Sequence, residues 1–191
     1  GIDYKSLKTK DKKNLSKANL KNSEDTNILL TVARLTIGKG FKTMLVTYDK
    51  LIKDSNKKYH WFIAGDGDFK VDFEDTIKSL GLEKNITLLG RLTTEELVPY
   101  YKGADCFWLL SPDETFGLVY LEASYFNLGS IGYCKTGVKE AITEGVNGYY
   151  YEPFDDLELL VEKCKSLKKL RKPMTICNKY QISTFVNNIL D

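Results

Sequence analysis

Two carboxylates, Glu114 and Glu122, enclose seven residues in SPDETFGLVYLE, the stretch from Ser111 to Glu122. The stretch reads as a loop feeding a helix. Pro112 and Asp113 are turn formers. Phe116-Gly117-Leu118 opens an apolar-periodic run that includes Leu118, Leu121 and Tyr125. A helix starting near Gly117 places Glu122 roughly 7 Å along its axis, at ~1.5 Å per residue. Both carboxylates then border one pocket beside a helix N-terminus, whose free N–H groups and positive dipole end suit an anion. The carboxylates suit hydroxyls. A ligand that is part phosphate and part sugar matches this mixture, although solvated surface charge is the usual fate of Glu.

Arg34 and Lys39 form a second pair, cationic this time, in the turn after the first apolar run. With Gly38 and Gly40 letting the backbone come close, two cations at a strand end suit a diphosphate. Solvated loop charges fit the same spacing. Gly65-Asp66-Gly67-Asp68 contains a D-x-D string, but it follows a strand as a glycine-rich turn with no third oxygen ligand nearby in sequence. A metal site is therefore rejected. Lys70 occupies the last position of the G-x-G-x-x-G dinucleotide fingerprint, so that pattern is not met. His60 is the only histidine and starts a strand, at the end away from the expected cleft. A structural or surface role is expected for it, and a Ser-His-Asp triad is excluded. Cys106, Cys134, Cys164 and Cys177 form no C-x-x-C pair, which reads as reduced thiols, two of them in the core.

The elements that must position these groups follow from the pattern. The 191 residues suit one domain with a real core. Hydrophobic residues at 42% and charged residues at 28% argue for a globular protein in water. A net charge of +2 is too small to imply a nucleic-acid partner by itself, and none is expected. No apolar run approaches a membrane span, and no signal peptide is visible. Residues 1–26 carry seven lysines and read as a linker segment. Residues 27–170 alternate short apolar runs with helical periodicity. Strands are expected at 28–33, 59–64, 86–89, 106–110, 130–133 and 148–151. Helices are expected at 40–54, 69–80, 94–102, 117–126, 138–144 and 155–170, with Thr93 and Glu96 as a capping box on the third. Six β-α units predict an α/β, three-layer, Rossmann-like sandwich with a six-stranded parallel sheet. The junctions at 34–40, 65–68, 90–92 and 111–117 fall at the carboxyl ends of strands, where such sheets bind ligands. Residues 171–191 form a C-terminal tail with mixed, helix-compatible periodicity.

In order along the chain stand VARLTIGKGF, IAGDG, LLGRL, the E-x7-E pair with its FG and the Glu122-Ala123 that closes it, then TGVKEAI and GVNGYYYEP. E-x7-E alone is a weak signal; the order of the blocks is what makes it specific. Together they resemble the C-terminal, donor-binding domain of family 4 glycosyltransferases, which are retaining enzymes of the GT-B fold. The resemblance covers about Asn27 to Leu167. The opening Gly1-Ile2-Asp3 is similar to the GID or GVD that follows the crossing from the N-terminal domain of that family. The chain is thus expected to begin where a second domain begins.

The resemblance implies roles. Arg34 and Lys39 would hold the donor's diphosphate and offset its charge as the sugar leaves, without a metal or other cofactor. Glu122 would hydrogen-bond the donor ribose, and Glu114 would place the transferred sugar. The N–H groups of Phe116, Gly117 and Leu118 would meet sugar and phosphate oxygens. Gly65 would belong to the donor-binding turn, and Arg91 and Leu92 would border the nucleobase. Glu114, Arg34 and Lys39 are the catalytic set so implied. The chain departs from the family where a Gly-x-Pro turn and a Gly-Gly pair are usual. It has Asn127-Leu128-Gly129 and Thr136-Gly137 instead, with the larger Phe126 alongside.

The expected function is transfer from a nucleotide-diphospho-sugar, a UDP-sugar by preference, to the hydroxyl of an acceptor glycan or lipid-linked sugar with retention. A missing N-terminal domain would bind the acceptor, so this chain alone is expected to be inactive. The cytoplasm is the expected location. Polysaccharide assembly at the inner membrane face is implied only at family level, with the Lys-rich segment adding weak attraction to anionic lipid. Two rivals stand beside this reading. One is a non-catalytic nucleotide-sugar-binding or partner-binding module that kept the fold. The other is a nucleotide-sugar epimerase, which needs further acid and base groups in the cleft.

Overall fold

Six short runs rich in β-branched and aromatic residues pair side by side in one sheet. The structure, a computed structural model, describes residues 25–112, 117–134, 136–152 and 155–167. The strands are β1 (Thr26–Val32), β2 (Lys58–Ala64), β3 (Ile86–Gly90), β4 (Cys106–Leu109), β5 (Gly129–Tyr133) and β6 (Gly148–Tyr151). Between and after them run α1 (Phe41–Lys53), α2 (Lys70–Ser79), α3 (Thr94–Gly103), α4 (Leu118–Tyr125), α5 (Thr136–Ala141) and α6 (Leu157–Ser166). The order across the sheet is β3-β2-β1-β4-β5-β6. Every neighbouring pair is parallel. This is the expected α/β, Rossmann-like architecture. The Lys-rich start through residue 24 and the tail from residue 168 lie outside the described residues, as does Cys177.

Parallel strands covered on both faces need continuous apolar runs. β4 shows this most strictly, since Cys106, Phe107, Trp108 and Leu109 are all buried. Trp61 and Trp108 meet at 4.8 Å between ring centroids in the middle of the core. Thr31, fully buried on β1, ties them together. Its hydroxyl donates to the Trp108 carbonyl at 2.8 Å and accepts from Trp61 Nε1 at 3.0 Å. Lower down, the Ile28 N–H donates to an Asp105 carboxylate oxygen at 2.9 Å and pins β1 to the approach of β4. The buried Thr31 hydroxyl is thus satisfied on both sides, as a buried core requires, whereas the buried Trp108 Nε1 has no hydrogen-bond partner among the described residues.

Most element ends fall within two residues of expectation. The Thr93 capping box is present: Thr93 N–H donates to Glu96 at 2.8 Å and Glu96 N–H to the Thr93 hydroxyl at 3.4 Å. Helix α5 is the clearest departure, spanning Thr136–Ala141 where 138–144 was expected. Its early stop has a cause. The buried Asn147 side chain donates to the Ala141 carbonyl at 2.8 Å and takes the place of the next helical turn. α6 ends at Ser166, short of residue 170. The two buried thiols expected are Cys106 and Cys164, and burial pushes the Cys164 thiol up to about 12.

Candidate functional site

The strand order reverses direction between β1 and β4. Crossovers on either side of such a point leave by opposite faces, and a crevice opens beyond the carboxyl ends of the strands. Here three loops close over it and are stitched by backbone hydrogen bonds. Leu35 N–H donates to the Asp66 carbonyl at 3.1 Å, and Phe69 N–H to the Leu35 carbonyl at 3.0 Å. Gly65 N–H donates to the Gly90 carbonyl at 2.7 Å. The turns after β1, β2 and β3 therefore act as one unit.

Above this unit is an open cavity of about 450 Å³. Arg34, Gly65, Asp66, Arg91 and Leu92 line it from the three turns, with Leu97 of α3 and Val119 of α4 beside them. Both guanidinium side chains are exposed, and neither is paired with a carboxylate among the described residues. Two unpaired arginines on one concave wall favour an anion with several oxygens. The single carboxylate on that wall is engaged locally: Asp66 accepts from Gly67 N–H at 3.0 Å and stands 3.9 Å from Lys70. Among the described residues no group of three or more His, Cys, Asp or Glu is placed to hold a metal.

The second wall is the start of α4. Gly117 is its N-cap, with φ of 61°, and Leu118 is the first helical residue. A Cβ at Gly117 would sit 3.0 Å from the Gly137 carbonyl, so the beginnings of α4 and α5 are packed backbone to backbone. The buried Tyr120 fixes the helix to the sheet, its hydroxyl donating to the Leu109 carbonyl at 2.5 Å. Glu122 lies three residues beyond Val119, on the adjoining turn of the same face. It is half-buried, and the Tyr101 hydroxyl donates to its Oε2 at 2.8 Å. Burial pushes the Glu122 carboxyl above the usual carboxylate range, and the Tyr101 hydrogen bond partly offsets that.

Of the residues expected at the site, Arg34, Gly65, Arg91 and Leu92 come together on the cavity wall. Gly117, Leu118 and Glu122 belong to the flanking helix rather than to that wall. Lys39 is half-buried in a short 3-10 turn, Ile37–Lys39, and does not line the cavity with Arg34. Glu114 and Phe116 lie outside the described residues, as do the side chain of Thr136 and its neighbour Lys135. Gly40 is required by packing. It has φ of 76°, and a Cβ there would run into the Leu110 carbonyl at the end of β4. The altered turn after α4 is also intact, because Asn127 takes the left-handed conformation, φ 59°, that glycine would otherwise supply.

His60 sits at the opposite end of the sheet, bonded to the Thr87 hydroxyl at 2.8 Å and packed at a tilt of 43° against Phe62, ring centroids 4.6 Å apart. Its burial lowers its pKa. The tyrosine run on β6 packs as expected, with the Tyr150 hydroxyl donating to the Ile142 carbonyl at 2.5 Å. Sequence reasoning missed Tyr101, Leu97 and Val119. Leu97 and Val119 were legible only as apolar helix positions. Tyr101 and Glu122 are 21 residues apart on different helices, a pairing that no local pattern reports.

A family model described as glycosyl transferases group 1 matches residues 12–183. The chain is 32% identical over 130 residues to an uncharacterised glycosyltransferase of Methanocaldococcus jannaschii, covering 68% of this chain and 33% of that protein. It is 28% identical over 142 residues to the alpha-monoglucosyldiacylglycerol synthase of Streptococcus pneumoniae, covering 74% and 32%. The chain thus spans about a third of the length of these relatives. Among solved structures, the pneumococcal O-GlcNAc transferase GtfA, crystallised with UDP and GlcNAc, superposes with a TM-score of 0.65 at 23% identity. That match covers 86% of this chain and 31% of GtfA. The C-terminal domain of a group 1 glycosyl transferase from Francisella tularensis matches with a TM-score of 0.64 at 24% identity, covering 73% of each chain. The fold is that of one Rossmann-like half of a GT-B glycosyltransferase. With the family model running through the whole of the sheet and the cleft above it, the chain belongs to the group 1 glycosyltransferases.

Proposed function

We propose that this chain is the donor-binding half of a retaining glycosyltransferase that uses a nucleotide-diphospho-sugar, a UDP-sugar in the first instance. The observation that carries the reading is the pair of unpaired arginines, Arg34 and Arg91, on one cavity at the strand-order reversal. Breaking the bond between the anomeric carbon and the phosphate oxygen leaves negative charge on the diphosphate. Arg34 and the N–H groups at the start of α4 offset that charge without a metal, a preorganised electrostatic role, with Lys39 adding its charge from the neighbouring 3-10 turn rather than from the cavity wall. Glu122 receives ribose hydroxyls, Glu114 places the sugar, and Arg91 with Leu92 borders the base. An acceptor hydroxyl then takes the sugar with its configuration kept. The chain spans about a third of its relatives' length, and on this reading acceptor binding belongs to another domain and the chain alone does not turn over. The acceptor is a glycan or a lipid-linked sugar; a lipid product is supported by the name of the pneumococcal relative, a monoglucosyldiacylglycerol synthase. Among the described residues no helix is long and apolar enough to cross a membrane.

Calorimetric titration of the chain with UDP, GDP and ADP, each with and without magnesium, tests this. One nucleotide binds, magnesium leaves its affinity unchanged, and Arg34→Ala weakens it by about tenfold or more, the scale of a charged hydrogen bond. Binding of none of the three, or binding that requires magnesium, contradicts the proposal.

A further inference from the structure

We propose that Tyr101 is a positioning residue of the donor site: its hydroxyl holds the Glu122 carboxylate in the orientation that receives a ribose hydroxyl. The inference rests on the reading of the cleft as a nucleotide site. It begins with two helices that each give one residue to the cavity wall and one residue to the layer beneath. Leu97 of α3 lines the cavity, and Tyr101 follows it by four residues on the same face. Val119 of α4 lines the cavity, and Glu122 follows it by three. The deeper pair meets through the 2.8 Å hydrogen bond from the Tyr101 hydroxyl to Glu122 Oε2.

The Tyr101 ring has little freedom. It is 2% exposed and lies flat against Phe126, with centroids 5.3 Å apart and planes 9° from parallel. On β4, Phe107 stacks on it at 6.3 Å and 28°. A rigid ring places its hydroxyl in one position, and the carboxylate that accepts from it loses rotamer freedom before any ligand arrives. Glu side chains carry substantial rotamer entropy, which an unrestrained Glu122 would surrender on binding. Tyr101 engages Oε2 of that carboxylate, and Oε1 is the oxygen assigned to the ribose hydroxyl. Because α3 follows directly from the turn that bears Arg91 and Leu92, the same contact also ties the base-bordering wall to the ribose-binding one.

The test compares UDP, GDP and ADP with the 2′,3′-dideoxy form of whichever binds, on the whole 191-residue chain and on Tyr101→Phe, Glu122→Gln and the double variant. Phenylalanine keeps the ring stacking and deletes only the hydroxyl, and a thermal melt verifies that each variant folds. The expected result is that Tyr101→Phe weakens the nucleotide about fivefold to tenfold. It leaves the dideoxy form unchanged, and it adds nothing once Glu122→Gln is present. A merely structural role would weaken both forms equally, and that result overturns the proposal. So does an unchanged affinity for the intact nucleotide while Glu122→Gln weakens it. If Glu122→Gln is also without effect on a nucleotide that binds, or if no nucleotide binds, the donor-site reading itself fails, and this inference with it.

Discussion

Glu122 is a carboxylate kept half-buried and held above its usual range chiefly by desolvation. That has a consequence for stability. A carboxyl whose folded pKa lies above its unfolded one favours the fold only while protonated. The contribution is complete below the ordinary glutamate value and is lost as pH rises through the raised folded value. At neutral pH the unliganded protein therefore carries an unneutralised cost. Glu122→Gln should melt higher than the parent at pH 7.5 without nucleotide. The advantage should vanish as pH falls below the ordinary glutamate range. A variant that melts lower at pH 7.5 would show that the carboxylate is stabilising as it stands. At this scale the sequence was informative about types and poor about partners. Arg34, Gly65, Arg91 and Leu92 share the cavity wall because each closely follows a strand, and strand ends are legible in sequence. Lys39 was grouped with Arg34 by sequence proximity, whereas the short 3-10 turn carries it off the cavity wall.

Helix α4 shows what elements add. Its start at Leu118 was legible from Gly117, but its buried face was not. Leu118, Leu121 and Tyr125 read as an apolar-periodic run, yet Leu118 and Tyr125 are exposed and Tyr120, Ala123 and Ser124 are buried. The helix is apolar nearly all round, so periodicity has no polar face to orient by; the Tyr120 bond to Leu109 and the packing on β5 and α5 decide. The turn before α1 makes a sharper prediction. Gly40 and Gly81 both have positive φ, 76° and 68°, but only Gly40 has a neighbour where its Cβ would go. Gly81→Ala should cost about 1–2 kcal/mol of left-handed strain. Gly40→Ala should cost a further 1–3 kcal/mol, because the new methyl overpacks against the Leu110 carbonyl. Urea unfolding midpoints of the two variants check this. Equal losses would mean that the turn over β4 yields and that the three stitched loops are less rigid than described.

For the whole molecule, six alternating units were enough to predict a parallel sheet, but not its order. The reversal between β1 and β4 is written in contacts such as Ile28 with Asp105 and Thr31 with Trp108, 77 residues apart in both cases. That reversal is what brings three strand-end loops and the start of α4 to one cleft and leaves the amino ends, with His60, at the far side. The central claim is that a nucleotide occupies the carboxyl-end cleft. Amide chemical-shift mapping of the isotope-labelled chain during titration with UDP, GDP and ADP tests it most directly. The account predicts that one nucleotide shifts residues 33–40, 65–68, 90–92 and 117–122 together, while Lys57, His60 and Lys84 at the opposite end stay still. Shifts centred on that opposite end, or none with any of the three nucleotides, would contradict it.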